Sequence, residues 1–208
     1  MEPFTSPDSP MMISVIVMLI TIAASIAAFM IPSFFHDNIL HPYSIARGGR
    51  IHTLVTGNII HADLMHLGFN MMSYYFFAFT LNRQVGNVNF LIIYIGSMLL
   101  ADIPSLIKQR NNPQYFTLGS SGAVSGVIFS SILFNPLSKF YLFILPIPIS
   151  AYIFGPLYLL YCYYAAKRQG DNINHDAHMW GAIGGFLITV SLYPDVLPYF
   201  FGAIFSRW

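Results

Sequence analysis

Residues 118–134 read LGSSGAVSGVIFSSILF. The part from about 120 to 134 is apolar enough to enter a membrane but short for crossing a hydrocarbon core roughly 30 Å thick. Its start is rich in glycine and serine, so the helix is expected to begin below the membrane surface. A helix end at that depth is tolerated only where protein encloses it or where it faces a water-filled cavity. The N-terminus of this segment is therefore a candidate site.

Outward from it, apolar runs recur along the chain. Taking about 20 apolar residues per crossing, spans are expected near 11–32, 64–81, 90–106, 120–134, 149–166 and 177–193. The fold expected is an all-α membrane protein, a bundle of six transmembrane helices over 11–193. It is flanked by an N-terminal tail, 1–10, and an aromatic, Pro-broken interfacial tail, 194–208. The first ten residues lack the basic stretch of a signal peptide, so the first span reads as retained.

Composition agrees. Of 208 residues, 56% are hydrophobic and only 8% charged, against about 25% charged in soluble domains. The net charge is +1 and no basic block stands out, which argues against a nucleic-acid partner. Cys162 is the only cysteine, which excludes an internal disulfide and a cysteine metal cluster.

Strongly polar groups at membrane depth are costly, so each is a candidate for function. In HADLMHLGFN, residues 61–70, His66 and Asn70 are four apart and share a helical face. They read either as bonds to a neighbouring helix or as a pair of donors aimed at one point in the bundle. His61 lies at or before the helix start. In Gly119-Ser120-Ser121-Gly122, followed by Gly126, the glycines permit close helix packing. Packing alone would account for them. Ser121, however, falls in the first helical turn, where backbone N–H groups are unpaired and negative charge is favoured. That setting suits an oxyanion beside a serine nucleophile. In AHMWGAIGG, residues 177–185, His178, Gly181 and Gly185 share a face at spacings of three and four. His178 then lies in a contact seam, and if the partner is the Gly122/Gly126 face it meets Ser121. A serine, a base and a donor pair are what serine catalysis requires. No acidic residue is placed to complete a triad, since adjacent helical residues such as Asp176 do not face the same way as their neighbours near His178.

In these motifs the chain resembles the rhomboid family: Arg50; the HxxxxHxxxN set His61, His66, Asn70; the GxSG set Gly119, Ser121, Gly122; and the AHxxGxxxG set Ala177, His178, Gly181, Gly185. The resemblance covers roughly 50–193. It implies an intramembrane serine endopeptidase with Ser121 as nucleophile and His178 as general base. The Ser121 N–H would serve the oxyanion, with His66 and Asn70 in support, His61 structural or water-organising, and Gly119 shaping the site. It implies transmembrane protein substrates, a lipid bilayer as surroundings, no cofactor and no metal. The expected location is a bacterial cell (inner) membrane. Three positions depart from the family pattern: Gly49 stands before Arg50 where many members have tryptophan, and two others lie in the helices. Asn82 stands near a frequent glutamate, and Ser125 stands where several members carry an aromatic residue that stacks on the histidine. Competing readings are an ion path or metal site built from His61, His66, His178 and Asn70, and an inactive rhomboid-like chaperone for membrane clients, which would usually lack the serine or histidine.

Overall fold

The computed structural model describes residues 11–142, 145–168 and 173–206. The expected tail 1–10, part of the loop before the last span, and Arg207 and Trp208 lie outside these described residues.

The elements in order are α1 (Met12–Met30), α2 (Pro32–Asn38), α3 (Pro42–Ile45), α4 (Thr53–Thr56), α5 (Leu64–Lys108), α6 (Ser121–Phe134), β1 (Lys139–Leu142), β2 (Leu145–Ser150), α7 (Ala151–Arg168), α8 (His175–Leu192) and α9 (Val196–Phe205). The chain is thus mostly helical. Among the described residues, α1 and α5 are each long and apolar enough to cross a membrane, and α8 with α9, bent by 106°, would be a third such span. Many large apolar side chains, among them Leu19, Ile20, Ile92, Leu160 and Leu187, are exposed on these helices, as suits a chain whose surroundings are lipid. This is an integral membrane protein.

α5 is one element only nominally. Gly86 sits at φ 75°, ψ 169°, a backbone state that glycine adopts without steric cost, and the helix breaks there into limbs 64–85 and 87–108. The limbs fold back on each other. The rings of Tyr74 and Tyr94 have centroids 5.9 Å apart, although 20 residues of straight helix would separate them by about 30 Å. Asn82 ties this turn to α1, accepting from the Ser14 N–H at 3.0 Å and donating to Asn87 at 3.1 Å. Asn82 therefore makes a helix-linking contact of its own, and it is fully buried.

α6 packs against both α5 and α8. Its 14 residues span about 21 Å at 1.5 Å each, and all but Ser121 and Ile128 are buried. A helix apolar on every face is one enclosed by its neighbours.

Two features differ from the sequence expectation. A hairpin, β1 with β2, stands where only a Pro-broken connection was expected, as a short addition to an all-α membrane fold. It pairs Lys139 with Ser150 and Phe140 with Ile149. Pro146 and Pro148 are compatible with it because a two-stranded pair consists of edge strands, where a missing N–H is tolerated. The tail holds a helix, α9, with Pro198 in its first turn, where the ring costs no hydrogen bond.

The polar segment between α1 and α5 is short helices rather than open loop. Arg50, itself at φ 53°, donates to the carbonyls of His36 and Ile39. Asn58 donates to Asp102 of α5 at 2.8 Å. Leu40 and Thr117 form an isolated antiparallel bridge, which fastens this segment to the strand-like approach to α6.

Candidate active site

Ser121 is the first residue of α6 and Ser120 its N-cap. The approach to this point is over-determined. The Gly119 N–H donates to Gly57 O at 2.9 Å, and Gly119 has φ +110°. A Cβ on Gly119 would lie 2.6 Å from Cε1 and 2.8 Å from Nε2 of His66. Glycine is thus required twice, by backbone conformation and by the imidazole packed against it.

His61 anchors Ser120. Burial, and secondarily the charge of His66, push the His61 pKa down to about 3, so the ring is neutral. Its Nε2 lies 3.2 Å from Ser120 Oγ and 3.4 Å from Ser120 N. With Nε2 accepting from that backbone N–H, the proton sits on Nδ1, which donates to Ser25 Oγ at 2.9 Å. Ser25 in turn donates to Ile59 O at 3.2 Å. One imidazole thereby joins α1, the inter-helix segment and the residue preceding Ser121. Ser25 carries no motif and was not singled out from sequence.

His66 and Asn70 occupy the first two turns of α5. Asp63 caps that helix by accepting from the His66 N–H at 2.8 Å. The His66 ring meets His61 edge-on, 4.8 Å between centroids. Asn70 Nδ2 donates to His66 O at 3.0 Å, which uses one of the two N–H donors of its amide.

α8 approaches α6 backbone to backbone. A Cβ on Gly181 would lie 2.7 Å from the Gly122 carbonyl carbon, and one on Gly185 would lie 2.6 Å from that of Gly126. A Cβ on Gly122 would come to 3.3 Å of Ala177 O, beside His178. Deeper in the seam, the Ser130 hydroxyl lies between Gly126 O at 2.8 Å and Gly185 O at 3.1 Å, and Thr189 donates to Ser130 at 2.8 Å. His178 sits one turn before Gly181. Asp176 is turned to an ion pair with Lys108 at 2.7 Å.

The ring over His178 comes from α7. Tyr158 lies nearly parallel to it, 6.5 Å between centroids and 13° between planes. Its hydroxyl is 2.9 Å from Ser125 Oγ. Ser125 thus holds an aromatic ring instead of supplying one. No single-helix spacing encodes this, because the two residues are 33 apart in sequence. Tyr161 meets His175 edge-on at 5.4 Å. Among the described residues, Cys162, His175 and His178 each bring one metal-ligating atom within 4.8 Å of the others.

A serine at a buried helix start, a histidine one seam away and clustered imidazoles are set in an apolar bundle. The model of the Rhomboid domain matches residues 48–195. The chain belongs to the rhomboid family. It is 34% identical over 138 residues to the rhomboid protein YdcA of Bacillus subtilis (strain 168), which spans 65% of this chain and 64% of YdcA. It is 27% identical over 165 residues to RHOMBOID-like protein 12, mitochondrial, of Arabidopsis thaliana, covering 72% of this chain and 48% of that protein. It is 26% identical over 149 residues to rhomboid protease GluP of Bacillus subtilis, covering 72% and 27%. This rhomboid chain therefore spans less than two thirds of the length of each of these relatives.

Proposed function

We propose that this rhomboid is an intramembrane serine endopeptidase that cleaves transmembrane-anchored proteins by a Ser121–His178 dyad. The observation that carries the reading is the approach of α8 to α6 at Gly181 and Gly122. Gly122 follows Ser121 directly, and His178 precedes Gly181 by one turn, so the seam brings the hydroxyl-bearing turn and the imidazole-bearing turn together.

In this reading His178 takes the Ser121 proton as Ser121 Oγ attacks the scissile carbonyl carbon, and later returns it to the leaving amine. The first turn of α6 offers the Ser121 N–H to the oxyanion. His66, packed on Gly119, and Asn70, through the second N–H of its amide, supply the supporting donors. Asp176, paired with Lys108, is not a third member, and Tyr158 orients the base instead.

The architecture we assign to it is six spans within a core over 11–193: α1, the two limbs of α5, α6, α7 and α8. α9 lies in the interface. A bacterial cell membrane is the assigned location, supported by the higher identity to YdcA than to the mitochondrial relative. The test is labelling with a serine-directed fluorophosphonate or isocoumarin, followed by peptide mapping. Modification confined to Ser121 is expected. Modification of other serines with Ser121 untouched would refute the assignment.

A further inference from the structure

We propose that Cys162, His175 and His178 form a binding site for a borderline-soft divalent cation of the Zn²⁺ class, and that its occupation switches the enzyme off. The inhibitory half rests on the proposed role of His178 as the catalytic base.

The site is built from two helices. His175 and His178 are three apart on α8, which puts both imidazoles on one face. Cys162 comes from α7, fully buried, and His175 is 4% exposed. One ligand atom from each lies within 4.8 Å of the others. In a tetrahedral site with Zn–S near 2.3 Å and Zn–N near 2.0 Å, ligand atoms stand roughly 3.3–3.6 Å apart. Closing from 4.8 Å asks for side-chain rotations of about an ångström. Two rings from α7 flank the imidazoles: Tyr161 edge-on to His175 and Tyr158 parallel to His178. They restrict the ring orientations much as outer-shell partners do in metal sites.

The donor set selects the ion. One thiolate and two imidazoles suit Zn²⁺ and related soft or borderline ions; Mg²⁺ and Ca²⁺ want oxygen ligands, and the set has none. Binding deprotonates the Cys162 thiol and releases that proton to bulk water, so the Zn²⁺ charge is partly neutralised in place. Three protein ligands leave a fourth position for water.

The consequence for chemistry follows from the imidazole itself. A neutral ring has one lone pair and one N–H. Whichever nitrogen of His178 binds the cation, the other carries the proton, and no lone pair remains to take the proton of Ser121. The cation is an inhibitor here and takes no part in hydrolysis.

The experiment uses the full chain in detergent with Co²⁺ as a spectroscopic probe and Zn²⁺ as inhibitor. In the wild type, one equivalent of Co²⁺ is expected to give a thiolate-to-cobalt charge-transfer band that Zn²⁺ abolishes. Zn²⁺ is expected to slow both Ser121 labelling and substrate cleavage, with EDTA restoring both. Cys162→Ala should lose the band, and the Zn²⁺ needed for half inhibition should rise by at least about tenfold. His175→Asn, which keeps the thiol, should show the same rise and serves if the first variant does not fold. A wild type with no charge-transfer band, a band that survives Cys162→Ala, or equal Zn²⁺ sensitivity in all three proteins would overturn the site. Failure of the protease reading looks different: Ser121 would resist labelling even in EDTA while the cobalt band remained, which overturns the inhibitory half alone.

Discussion

Tyr158 lies nearly parallel to His178, with 13° between the ring planes, and is held by Ser125 at 2.9 Å. An aromatic ring beside His178, the proposed base, is supplied from α7, with Ser125 of α6 as its anchor. Tyr158→Phe keeps the ring and should retain most activity. Tyr158→Ala removes it; an aromatic pair is worth about 0.5–1.5 kcal/mol, so turnover should fall by roughly threefold to tenfold with KM little changed. The pH–rate profile should also shift in the Ala variant and not in the Phe variant. Equal loss in both variants would show that the hydroxyl matters and the ring does not.

The α6–α8 seam has no room for a side chain at Gly181. Gly181→Leu should force the helices apart and carry His178 from Ser121. A displacement of about 1 Å can cost roughly 100-fold in rate. Cleavage should therefore collapse in a variant that still elutes as a folded monodisperse species. Wild-type cleavage by that variant would count against the seam as the element that positions the base.

His66 and Asn70 are the proposed supporting donors to the oxyanion. Removing one such donor costs on the order of 10² to 10³ in turnover. His66→Ala and Asn70→Ala should each show that loss in kcat while slow probe labelling of Ser121 persists. Two variants that cleave at the wild-type rate would remove the assignment.

His61 is held neutral, its pKa pushed from the ordinary histidine value of about 6.5 to about 3 by burial. The unfolded chain takes up this proton as pH falls through 6.5, and the folded protein does so only near 3. His61 therefore costs stability progressively across that window and not above it. Thermal unfolding in detergent should show a smaller acid loss between pH 7 and 4 for His61→Gln than for wild type, whatever the absolute stability of the variant. Parallel pH curves would show that His61 is not a determinant of acid sensitivity.

The sequence makes some of these features plain and hides others for physical reasons. Spacings of four in Gly122/Gly126 and Gly181/Gly185 repeat once per helical turn, so a close helix approach is written in a single segment. The short α6 is legible because its glycines and serines interrupt the apolar run. The turn between the limbs of α5 is only half legible. A connection of several residues was expected between 81 and 90, whereas Gly86 alone breaks the helix. Contacts such as Asn82–Ser14, Ser25–His61 and Ser125–Tyr158 join residues 33 to 68 apart in sequence, and no periodic pattern announces them. The β1–β2 hairpin was hidden by Pro146 and Pro148, which read as breakers unless the strand is known to be an edge.

The dyad is the central claim, and its most direct test is cleavage of a transmembrane substrate in liposomes by wild type, Ser121→Ala and His178→Ala, across pH and with or without EDTA. A serine hydroxyl is a poor nucleophile until a base takes its proton, and a protonated imidazole cannot take it. Wild-type cleavage should fall as pH drops through the histidine titration and should not be lost in EDTA. Ser121→Ala should be inactive, and His178→Ala nearly so. A Ser121→Ala protein that still cleaves, or a wild type silenced by EDTA and restored by Zn²⁺, would contradict the serine mechanism.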